Sequence, residues 1–249
     1  MKLAWQTRQG VPLLLAEGTD AVIAFTGRQG GVSGGSFASL NLGFATPDDP
    51  ADVAENRRRA LAAAGASNAV SMRQRHGAVV LDAGAVAGSY LEAGTAWPEG
   101  DAVVTAEPGR PLVAHGADCL TAALVAADRT RLAVVHAGWR GLVAGVLEAA
   151  ADRVGPGATA VVGPGAGACC YAVGEDVAVP LRARFGDDVI ADGRADLAAC
   201  ARRALERAGA GDVTISGLCT ICDGERFHSH RRDGAGSGRQ GVIAYLGAR

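Results

Sequence analysis

Short apolar runs, bounded by glycine, proline or polar residues, recur along this chain. Runs of this length are typical of buried strands, because a helix needs a longer periodic pattern. The predicted strands cover residues 12–15, 21–25, 78–81, 101–105, 120–125, 132–135, 158–162, 213–215 and 242–246.

Four longer segments have apolar residues at helical spacing, which predicts helices over residues 53–64, 142–154, 176–185 and 196–208. Asp48, Asp49 and Pro50 come just before the first segment and are a typical helix start. The arginines at 57–59 are expected on the solvated face of that helix rather than in a binding patch. Residues 84–98 have no regular pattern and are expected to form a surface excursion.

Composition and charge narrow the functional class. The 249 residues are 49% hydrophobic and 20% charged, with a formal net charge of −2, which is typical of a globular protein. Nucleic-acid binding is not expected, because no long basic block is present. Membrane insertion is not expected either, because no apolar run reaches about 18 residues. Residues 1–10 lack the apolar core of a secretory signal, so we expect a cytoplasmic protein.

Neither an internal repeat nor a convincing linker interrupts the pattern. We therefore expect one domain over residues 1–249. The oligomeric state cannot be read from the sequence.

The six cysteines are not expected to form a disulfide framework in such a chain. Cys169 and Cys170 are adjacent, and adjacent cysteines rarely form relaxed disulfides. Cys219 and Cys222 form one Cys-x-x-Cys pair, which alone is a weak signal for zinc or redox chemistry. We therefore expect Cys222 to be an ordinary structural residue whose replacement by alanine changes little.

The stretch from Pro111 to Gly145 contains the strongest candidate chemistry. If strands 120–125 and 132–135 pair as a hairpin, Cys119 at the start of one lies near His136 at the end of the other. Adjacent strands are only about 5 Å apart, so the two side chains could share a metal ion. Either residue could instead be an ordinary core residue, because free cysteine is commonly buried.

His76 completes a three-residue candidate set, because it precedes a glycine and a predicted strand. Two imidazoles and one thiolate suit Zn²⁺ and leave a fourth position open, which is typical of catalytic rather than structural sites. Such an ion would lower the pKa of a bound water toward about 7.

A glycine-rich loop over residues 26–35 contains Arg28 and Ser33. Backbone N–H groups in such loops can bind anions, and an arginine can add a bidentate phosphate contact. The loop is not a Walker A motif, because no Gly-Lys-Ser/Thr follows. A flexible surface loop is the alternative interpretation.

Motifs spread over nearly the whole chain carry a family resemblance. They are Phe25-Thr26-Gly27-Arg28, Ser39-Leu40-Asn41-Leu42-Gly43, Glu55-Asn56-Arg57, Gln74-Arg75-His76-Gly77, Asp101-Ala102-Val103-Val104-Thr105, Ala117-Asp118-Cys119, His136-Ala137-Gly138-Trp139-Arg140-Gly141, Gly163-Pro164, Tyr171-Ala172-Val173-Gly174, Cys219-Thr220 and Ser229-His230-Arg231-Arg232-Asp233. With these motifs the sequence resembles the bacterial laccase-like, or polyphenol oxidase-like, family, which includes the peptidoglycan editing factor and purine nucleoside phosphorylase/adenosine deaminase relatives.

The resemblance implies an α/β (α+β) fold: one compact domain of mixed β-sheets flanked by helices. It also implies that His76, Cys119 and His136 are the metal-binding and catalytic cluster, with Arg28 as a catalytic or phosphate contact. We expect Ser33, Asn41 and Arg231 to bind substrate or phosphate as well. His115 and His228 depart from the family pattern, where an aliphatic and an aromatic residue are more usual, and either could add a ligand or alter the pocket wall.

The leading functional hypothesis is a zinc-dependent enzyme that cleaves purine nucleosides with phosphate and deaminates adenosine at the same site. The nucleobase-deaminase signature of His-x-Glu and Pro-Cys-x-x-Cys is absent, so deamination rests on the resemblance alone. A cysteine or metal amidase acting on cell-wall precursors is an alternative, with Cys119 as nucleophile. A metal-containing binding module without turnover is another.

Copper-dependent phenol oxidation is the third alternative, and the composition argues against it. A blue-copper centre usually takes an axial methionine, whereas the chain offers only Met1 and Met72, and five histidines are too few for an additional trinuclear cluster. Cu²⁺ could still occupy the same His/Cys site, because it binds such ligands most tightly.

Overall fold

The computed structural model describes residues 1–247, which form thirteen strands and six α-helices. The strands are β1 (Lys2–Arg8), β2 (Val11–Glu17), β3 (Ala21–Thr26), β4 (Val80–Asp82), β5 (Ala102–Thr105), β6 (Leu112–Gly116), β7 (Leu120–Val125), β8 (Leu132–Ala137), β9 (Thr159–Val162), β10 (Ile190–Ala191), β11 (Arg194–Ala195), β12 (Asp212–Ile215) and β13 (Gln240–Leu246). The helices are α1 (Pro50–Ala63), α2 (Trp139–Ala144), α3 (Val146–Val154), α4 (Glu175–Phe185), α5 (Leu197–Arg207) and α6 (His230–Asp233).

Two large sheets form the centre of the molecule. One has the order β1-β2-β3-β13-β6 and is antiparallel throughout. The other has the order β12-β9-β7-β8-β5-β4 and is mixed, because its two outer pairs are parallel. The predicted α/β fold of mixed sheets flanked by helices is therefore confirmed.

The alternation of side chains along β7 and β8 assigns each face of the mixed sheet. Leu120, Ala122 and Leu124 lie in a core shared with α3, α4 and α5. Ala123 and Val125 lie in a second core, between the two sheets. Because successive strand residues face opposite sides, this alternation places four layers in sequence: helices, mixed sheet, antiparallel sheet and α1. A third core fills the space between the antiparallel sheet and α1.

The predicted helix over residues 142–154 is interrupted at Gly145, whose φ of +88° caps α2 and starts α3. Only glycine adopts this conformation readily. The helical pattern continues across the break because both helices pack on the same sheet face. The start predicted for α1 is confirmed: Asp49 accepts a hydrogen bond from the Ala51 N–H, and Pro50 is the first helical residue.

Four strands, β1, β6, β10 and β11, were not predicted from the apolar runs. β1, at the sheet edge, has only three apolar residues (Leu3, Ala4 and Trp5) between polar ones, and β6 follows Pro111 without a polar boundary of its own. β10 and β11 are only two residues long each. None of the helices among residues 1–247 is long and apolar enough to cross a membrane.

Candidate metal and substrate site

The β7–β8 hairpin brings Cys119 and His136 together, as the sequence predicted. Thr121 pairs with His136 and Leu120 with Ala137, so Cys119 lies one residue beyond the paired ladder, beside the end of β8. His136 follows Val134 by two positions and therefore faces the space between the two sheets, where Val134 is packed.

His76 reaches this hairpin because Asp101 organises the loop that carries it. The Asp101 carboxylate accepts backbone N–H groups from Arg75 at 3.2 Å, His76 at 2.9 Å and Gly77 at 2.7 Å. The His76 φ of +61° is unusual for a residue with a side chain. The three N–H contacts hold the loop in this conformation.

The same carboxylate orients His136. Nδ1 of His136 lies 2.9 Å from Oδ1 of Asp101, and both side chains are buried. An ionised carboxylate can only accept a hydrogen bond, so Nδ1 carries a proton, and Nε2 can bind a metal once its own proton is released. Burial raises the pKa of Asp101, but its hydrogen bonds from His136, Gly77 and His76 outweigh burial and lower that pKa overall. This is the arrangement that commonly supports a metal-binding histidine.

Electrostatics favour the thiolate at Cys119. Burial opposes ionisation, but His136 and His76 lower the pKa of the Cys119 thiol to about 6. The pKa of His136 is raised to about 9, against burial, by Cys119 and Asp101. The thiolate is the form of cysteine that binds metals and attacks carbonyls, so Cys119 is prepared for either role at neutral pH.

The residues fit a metal ion. The ligand atoms of His76, Cys119 and His136 lie within 4.8 Å of one another, and the two imidazole rings meet edge to face, with centroids 4.8 Å apart. A Cβ at Gly138 would lie 2.7 Å from the Cys119 sulfur and 3.2 Å from Cδ2 of His76. Glycine is therefore required beside the cluster, because a side chain there would displace the ligands.

A cavity of about 740 Å³ opens beside this cluster, within the range of small-molecule sites. The three cluster residues form part of its wall. Other lining side chains are the aromatic Phe44 and Trp97, the cationic Arg57, Arg73 and Arg239, and the polar Gln74, Glu92, His115 and His230. The segment 84–98, expected to be a surface excursion, supplies one wall of this cavity and buries Tyr90 completely.

Arg57 does not lie on the solvated face of α1, where all three arginines of this helix were expected. It is buried, and donates to the carbonyl oxygens of Leu42 at 2.8 Å and Tyr90 at 2.6 Å. Its guanidinium lies 4.1 Å from the ring centroids of both Phe44 and Tyr90. The prediction of a solvated face was wrong for this residue, since segment 84–98 covers that side of α1. Arg58 and Arg59 do lie toward solvent, where both pair with Glu55.

His115 forms part of the cavity wall rather than the metal cluster. Its Nε2 lies 2.6 Å from the Tyr90 hydroxyl, and the two rings stack at 5.6 Å. Burial, together with the charges of Arg57, Arg239 and His136, lowers the pKa of His115 well below its ordinary value. The ring is therefore neutral at physiological pH.

The other predicted binding residues are not among those that line the cavity. Arg28 donates to the carbonyl oxygens of Ala38 at 2.8 Å, Gly224 at 3.1 Å and Ser36 at 3.4 Å. Its guanidinium therefore joins two loop segments, one at residues 36–38 and one at Gly224.

Ser33 and Asn41 belong to a buried polar network. Ser33 donates to Asp48 at 2.7 Å, and the Asn41 amide donates to the same carboxylate at 2.9 Å. Asn41 Oδ1 accepts the backbone N–H of Arg239 at 2.8 Å. Asn41 thus positions the backbone of a residue that does line the cavity.

Arg231 lies behind Cys119 rather than in the cavity. Its backbone N–H donates to Asp118, and its guanidinium lies 4.9 Å from the Tyr171 ring. The structure thus gathers His76, Cys119 and His136 at one place and keeps Arg28, Ser33, Asn41 and Arg231 in the surrounding framework.

Sequence reasoning missed Asp101, Gly138 and Arg239 as site residues. A signal existed for Asp101, because it is an acidic residue directly before a buried strand. No comparable signal marked Arg239, whose place depends on packing between distant segments.

Comparison with known proteins identifies the family. A family model described as multi-copper polyphenol oxidoreductase laccase matches residues 22–247. The chain belongs to this family.

Relatives and solved structures agree with that assignment. A Deinococcus radiodurans protein named purine nucleoside phosphorylase is 41% identical, over 96% of this chain and 95% of that protein. A Xylella fastidiosa protein of the same name is 41% identical over 87% and 88%. YlmD from Geobacillus stearothermophilus superposes with a TM-score of 0.85 at 28% identity, covering 98% of this chain and 99% of that one. A Neisseria meningitidis protein superposes with a TM-score of 0.84 at 32% identity, covering 95% and 99%. The resemblance to the laccase-like family is thus confirmed.

His228, the second departure from the family pattern, is not among the cavity-lining residues. It is fully buried, and neither ring nitrogen has a hydrogen-bond partner among residues 1–247. Burial, with the nearby charge of Arg28, lowers its pKa from 6.5 to about 3.

Replacing Asp101 by asparagine should weaken metal binding by about 10- to 100-fold, the usual effect of losing such a carboxylate. The NH₂ group of the asparagine would lie against the Gly77 N–H, so that two donors face each other. The neutral amide would also lack the negative charge that orients His136. A chelator competition titration with Zn²⁺ measures the change. Glu99→Gln is the matched control, because Glu99 is an exposed carboxylate near Arg73 and Arg75. Equal zinc affinities in Asp101→Asn and the parent would contradict the assigned role.

Replacing His228 by phenylalanine should make the stability of the protein less sensitive to acid. The unfolded imidazole takes up a proton near pH 6.5 and the folded one only near pH 3, so stability falls as pH drops between these values. The loss is at most about 1.4 kcal/mol per pH unit for one proton. Denaturant unfolding of parent and variant from pH 4 to pH 8 tests this. Their stability difference should change below pH 6.5 and stay flat above it. A difference that is constant with pH would indicate a change in packing alone.

Proposed function

We propose that this chain is a zinc-dependent purine nucleoside phosphorylase. The observation that carries the proposal is the cavity of about 740 Å³, which joins the His76–Cys119–His136 cluster to aromatic and cationic side chains. Relatives from several bacteria that match most of the chain are named purine nucleoside phosphorylase. Metal-binding thiols favour a reducing compartment, so we place the activity in the cytoplasm.

The donor set favours zinc over a multi-copper centre. One thiolate and two imidazoles suit Zn²⁺ and leave a position open. The remaining histidines are dispersed: His115 stacks on Tyr90, His228 is buried without a partner among residues 1–247, and His230 lies across the cavity. They do not form the additional histidine cluster that oxygen-reducing copper enzymes need.

The cavity suits a nucleoside. Phe44 and Trp97 offer aromatic faces for a purine ring, and base–aromatic stacking contributes about 1–3 kcal/mol per base. Arg57 is fixed by its two carbonyl contacts and adds a cation beside Phe44. The neutral His115 and the Gln74 amide supply hydrogen-bonding groups on the same wall.

Phosphorolysis needs an anion site near the sugar. A phosphate oxygen attacks the anomeric carbon, the bond to the purine nitrogen breaks with its electron pair, and the leaving base takes a proton. Arg73 and Arg239 are the cavity cations that are not enclosed by aromatic rings. We assign phosphate binding to Arg239 rather than Arg28, because Nε and both terminal nitrogens of Arg28 donate to carbonyl oxygens. Among residues 1–247, Arg239 uses a single terminal nitrogen for the carbonyl oxygens of Ser237 and Gly238.

The proton for the leaving base comes from the cavity wall. The Nδ1–H of His230 donates to the Gly234 carbonyl at 3.0 Å, which fixes the ring. In its protonated form the ring would also hold a proton on Nε2, and passing that proton to the leaving base would return it to the neutral imidazole. When bound, zinc supplies Lewis acidity beside the cavity. Asp101 keeps His136 in the tautomer that this requires. The open ligand position also favours adenosine deamination, in which water replaces the amino group and ammonia leaves.

A cysteine amidase is the second candidate. The thiolate of Cys119, the raised pKa of His136 and the Asp101 carboxylate resemble the nucleophile, base and orienting acid of a cysteine hydrolase. A metal bound to Cys119 would block this nucleophile. Chelation should therefore abolish the phosphorylase activity and would activate an amidase toward cell-wall precursors.

Product analysis with adenosine and inosine, with and without phosphate, tests the main proposal. We expect free base and ribose 1-phosphate only when phosphate is present, and inosine from adenosine without phosphate if deamination shares the site. Cys119→Ala should lose at least about 100-fold in turnover together with the zinc ion of the His76–Cys119–His136 cluster. Cys200→Ala is the control, since Cys200 is buried in α5 away from the cavity. No base release by a zinc-loaded protein would overturn the proposal.

Arg239→Gln should raise the KM for phosphate about tenfold while changing the KM for the nucleoside much less, because a charge-assisted contact is lost. Arg28→Gln should instead lower thermal stability, with little selective effect on phosphate. Steady-state kinetics at saturating nucleoside separate these outcomes. A selective phosphate defect in Arg28→Gln alone would return phosphate binding to the glycine-rich loop.

A further inference from the structure

Four cysteines that do not line the cavity meet at one place. Cys169 and Cys170 lie in the loop after β9, and Cys219 and Cys222 in the loop after β12. The two strands are parallel neighbours, with Ile215 opposite Val162, so both loops leave the same sheet edge.

Backbone hydrogen bonds hold the two loops against each other. The Gly165 N–H donates to the Leu218 carbonyl at 3.2 Å, and the Thr220 N–H donates to the Gly165 carbonyl at 2.9 Å. These contacts fix the position of the Cys-x-x-Cys turn relative to the adjacent cysteines. The second cysteine pair, which the sequence did not identify, is therefore the Cys169–Cys170 dipeptide.

The sulfur positions suit one shared ion. All four sulfur atoms lie within 4.8 Å of one another. Cys222 lies 3.2 Å from Cys169 and 2.7 Å from Cys170, and neither separation is the ~2.05 Å of a disulfide. Sulfurs around a tetrahedral zinc ion are about 3.8 Å apart, as Zn–S bonds of about 2.3 Å require, so a bound ion would move Cys222 slightly away from Cys169 and Cys170. A cluster of four sulfurs drawn together in this way is typical of a thiolate metal site.

Backbone N–H groups favour negative charge on the Cys219 sulfur, whereas the other three thiols share protons with one another. The Gly167 N–H points at the Cys219 sulfur at 3.3 Å. A Cβ at Gly167 would lie 3.0 Å from that of Cys219 and 3.3 Å from the Cys169 sulfur. Burial opposes ionisation of Cys219, but N–H groups of Cys222, Gly167 and Ile221 lower its pKa overall. The pKa of Cys169 is raised to about 11, mainly by its hydrogen bond with Cys222. The pKa of Cys222 is also raised to about 11, mainly by its hydrogen bond with Cys170. A bound cation would replace these shared protons.

We propose that Cys169, Cys170, Cys219 and Cys222 bind a structural zinc ion, separate from the His76–Cys119–His136 cluster. With four sulfur ligands the site is closed, so it stabilises the fold and leaves no position for substrate. This replaces the expectation that Cys222 is an ordinary structural residue whose loss would be silent.

The proposed ion would brace the loop that carries Cys119. Thr220, between two of its ligands, donates its hydroxyl to Asp118 at 2.7 Å. Asp118 directly precedes Cys119 and has a φ of +84°, a conformation that needs support from its surroundings. Arg232 holds the same turn through the carbonyl oxygens of Thr220 and Ile221, at 2.9 and 3.1 Å. Loss of the ion should therefore disturb Cys119 from a distance.

Metal content of variants tests the proposal. Protein purified under reducing conditions with Zn²⁺ should contain about two zinc ions per chain, and Cys119→Ala and Cys222→Ala should each contain about one. The double variant should contain none. Cys200→Ala makes the same chemical change outside both clusters and should keep two.

A spectroscopic measurement identifies the ligands. Metal-free Cys119→Ala titrated with Co²⁺ should show the intense visible bands of a tetrahedral site together with thiolate charge-transfer absorption. The additional change Cys222→Ala or Cys169→Ala should abolish both. If Cys119→Ala does not fold, the loss of one zinc ion between the parent and Cys222→Ala carries the test.

Two results would overturn the proposal. One is a Cys119→Ala protein that binds neither Zn²⁺ nor Co²⁺ while its other five thiols titrate as free. The other is mass-spectrometric evidence that the reduced and zinc-treated parent contains disulfides among the four cysteines. Neither result depends on nucleoside turnover, so failure of the phosphorylase proposal would leave this test intact.

Discussion

The buried Asp101 carboxylate is the interaction on which the site depends. One side chain accepts three backbone N–H groups from the His76 loop and the Nδ1–H of His136. These bonds hold a positive-φ histidine in place and select the tautomer of its partner. Because a buried carboxylate is costly unless it is fully hydrogen-bonded, the loop and the imidazole stabilise Asp101 as much as it orders them. A single carboxylate thereby positions His76 and His136, two candidate metal ligands from distant segments of the chain.

The two-sheet architecture explains why the cavity lies beside that acid. Strand alternation directs Val134 into the apolar space between the sheets, and His136, two residues later, emerges where this space opens into the cavity. Much of the wall comes from segments with little regular structure, namely 43–45, 71–76 and 92–97, while α1 and β6 contribute Arg57 and His115. The end of the β7–β8 hairpin thus holds Cys119 and His136 in place, while irregular segments form much of the cavity wall.

Asp118 connects the two sulfur-containing clusters of the molecule. On one side it continues into Cys119, and on the other its carboxylate accepts the Thr220 hydroxyl and the Arg231 N–H. The proposed four-cysteine site would hold the turn that supports Asp118 and so preserve the geometry of Cys119, because rigid surroundings keep a metal ligand in place. Arg28, Ser33 and Asn41 likewise support the site from outside the cavity, because their polar groups hydrogen-bond to backbone and side-chain partners in the surrounding loops.

The sequence by itself determined the local features. Short apolar runs predicted most strands, and the polar turn between two of them predicted the hairpin that joins Cys119 to His136, because hairpin pairing is local in the chain. Tertiary structure alone decided the rest. Arg57 is buried because segment 84–98 covers α1, and Cys169 and Cys170 meet Cys219 and Cys222 because β9 and β12 pair in parallel across an intervening run of some fifty residues. Parallel pairing requires a long crossover, so nothing in the local pattern of either segment encodes its partner.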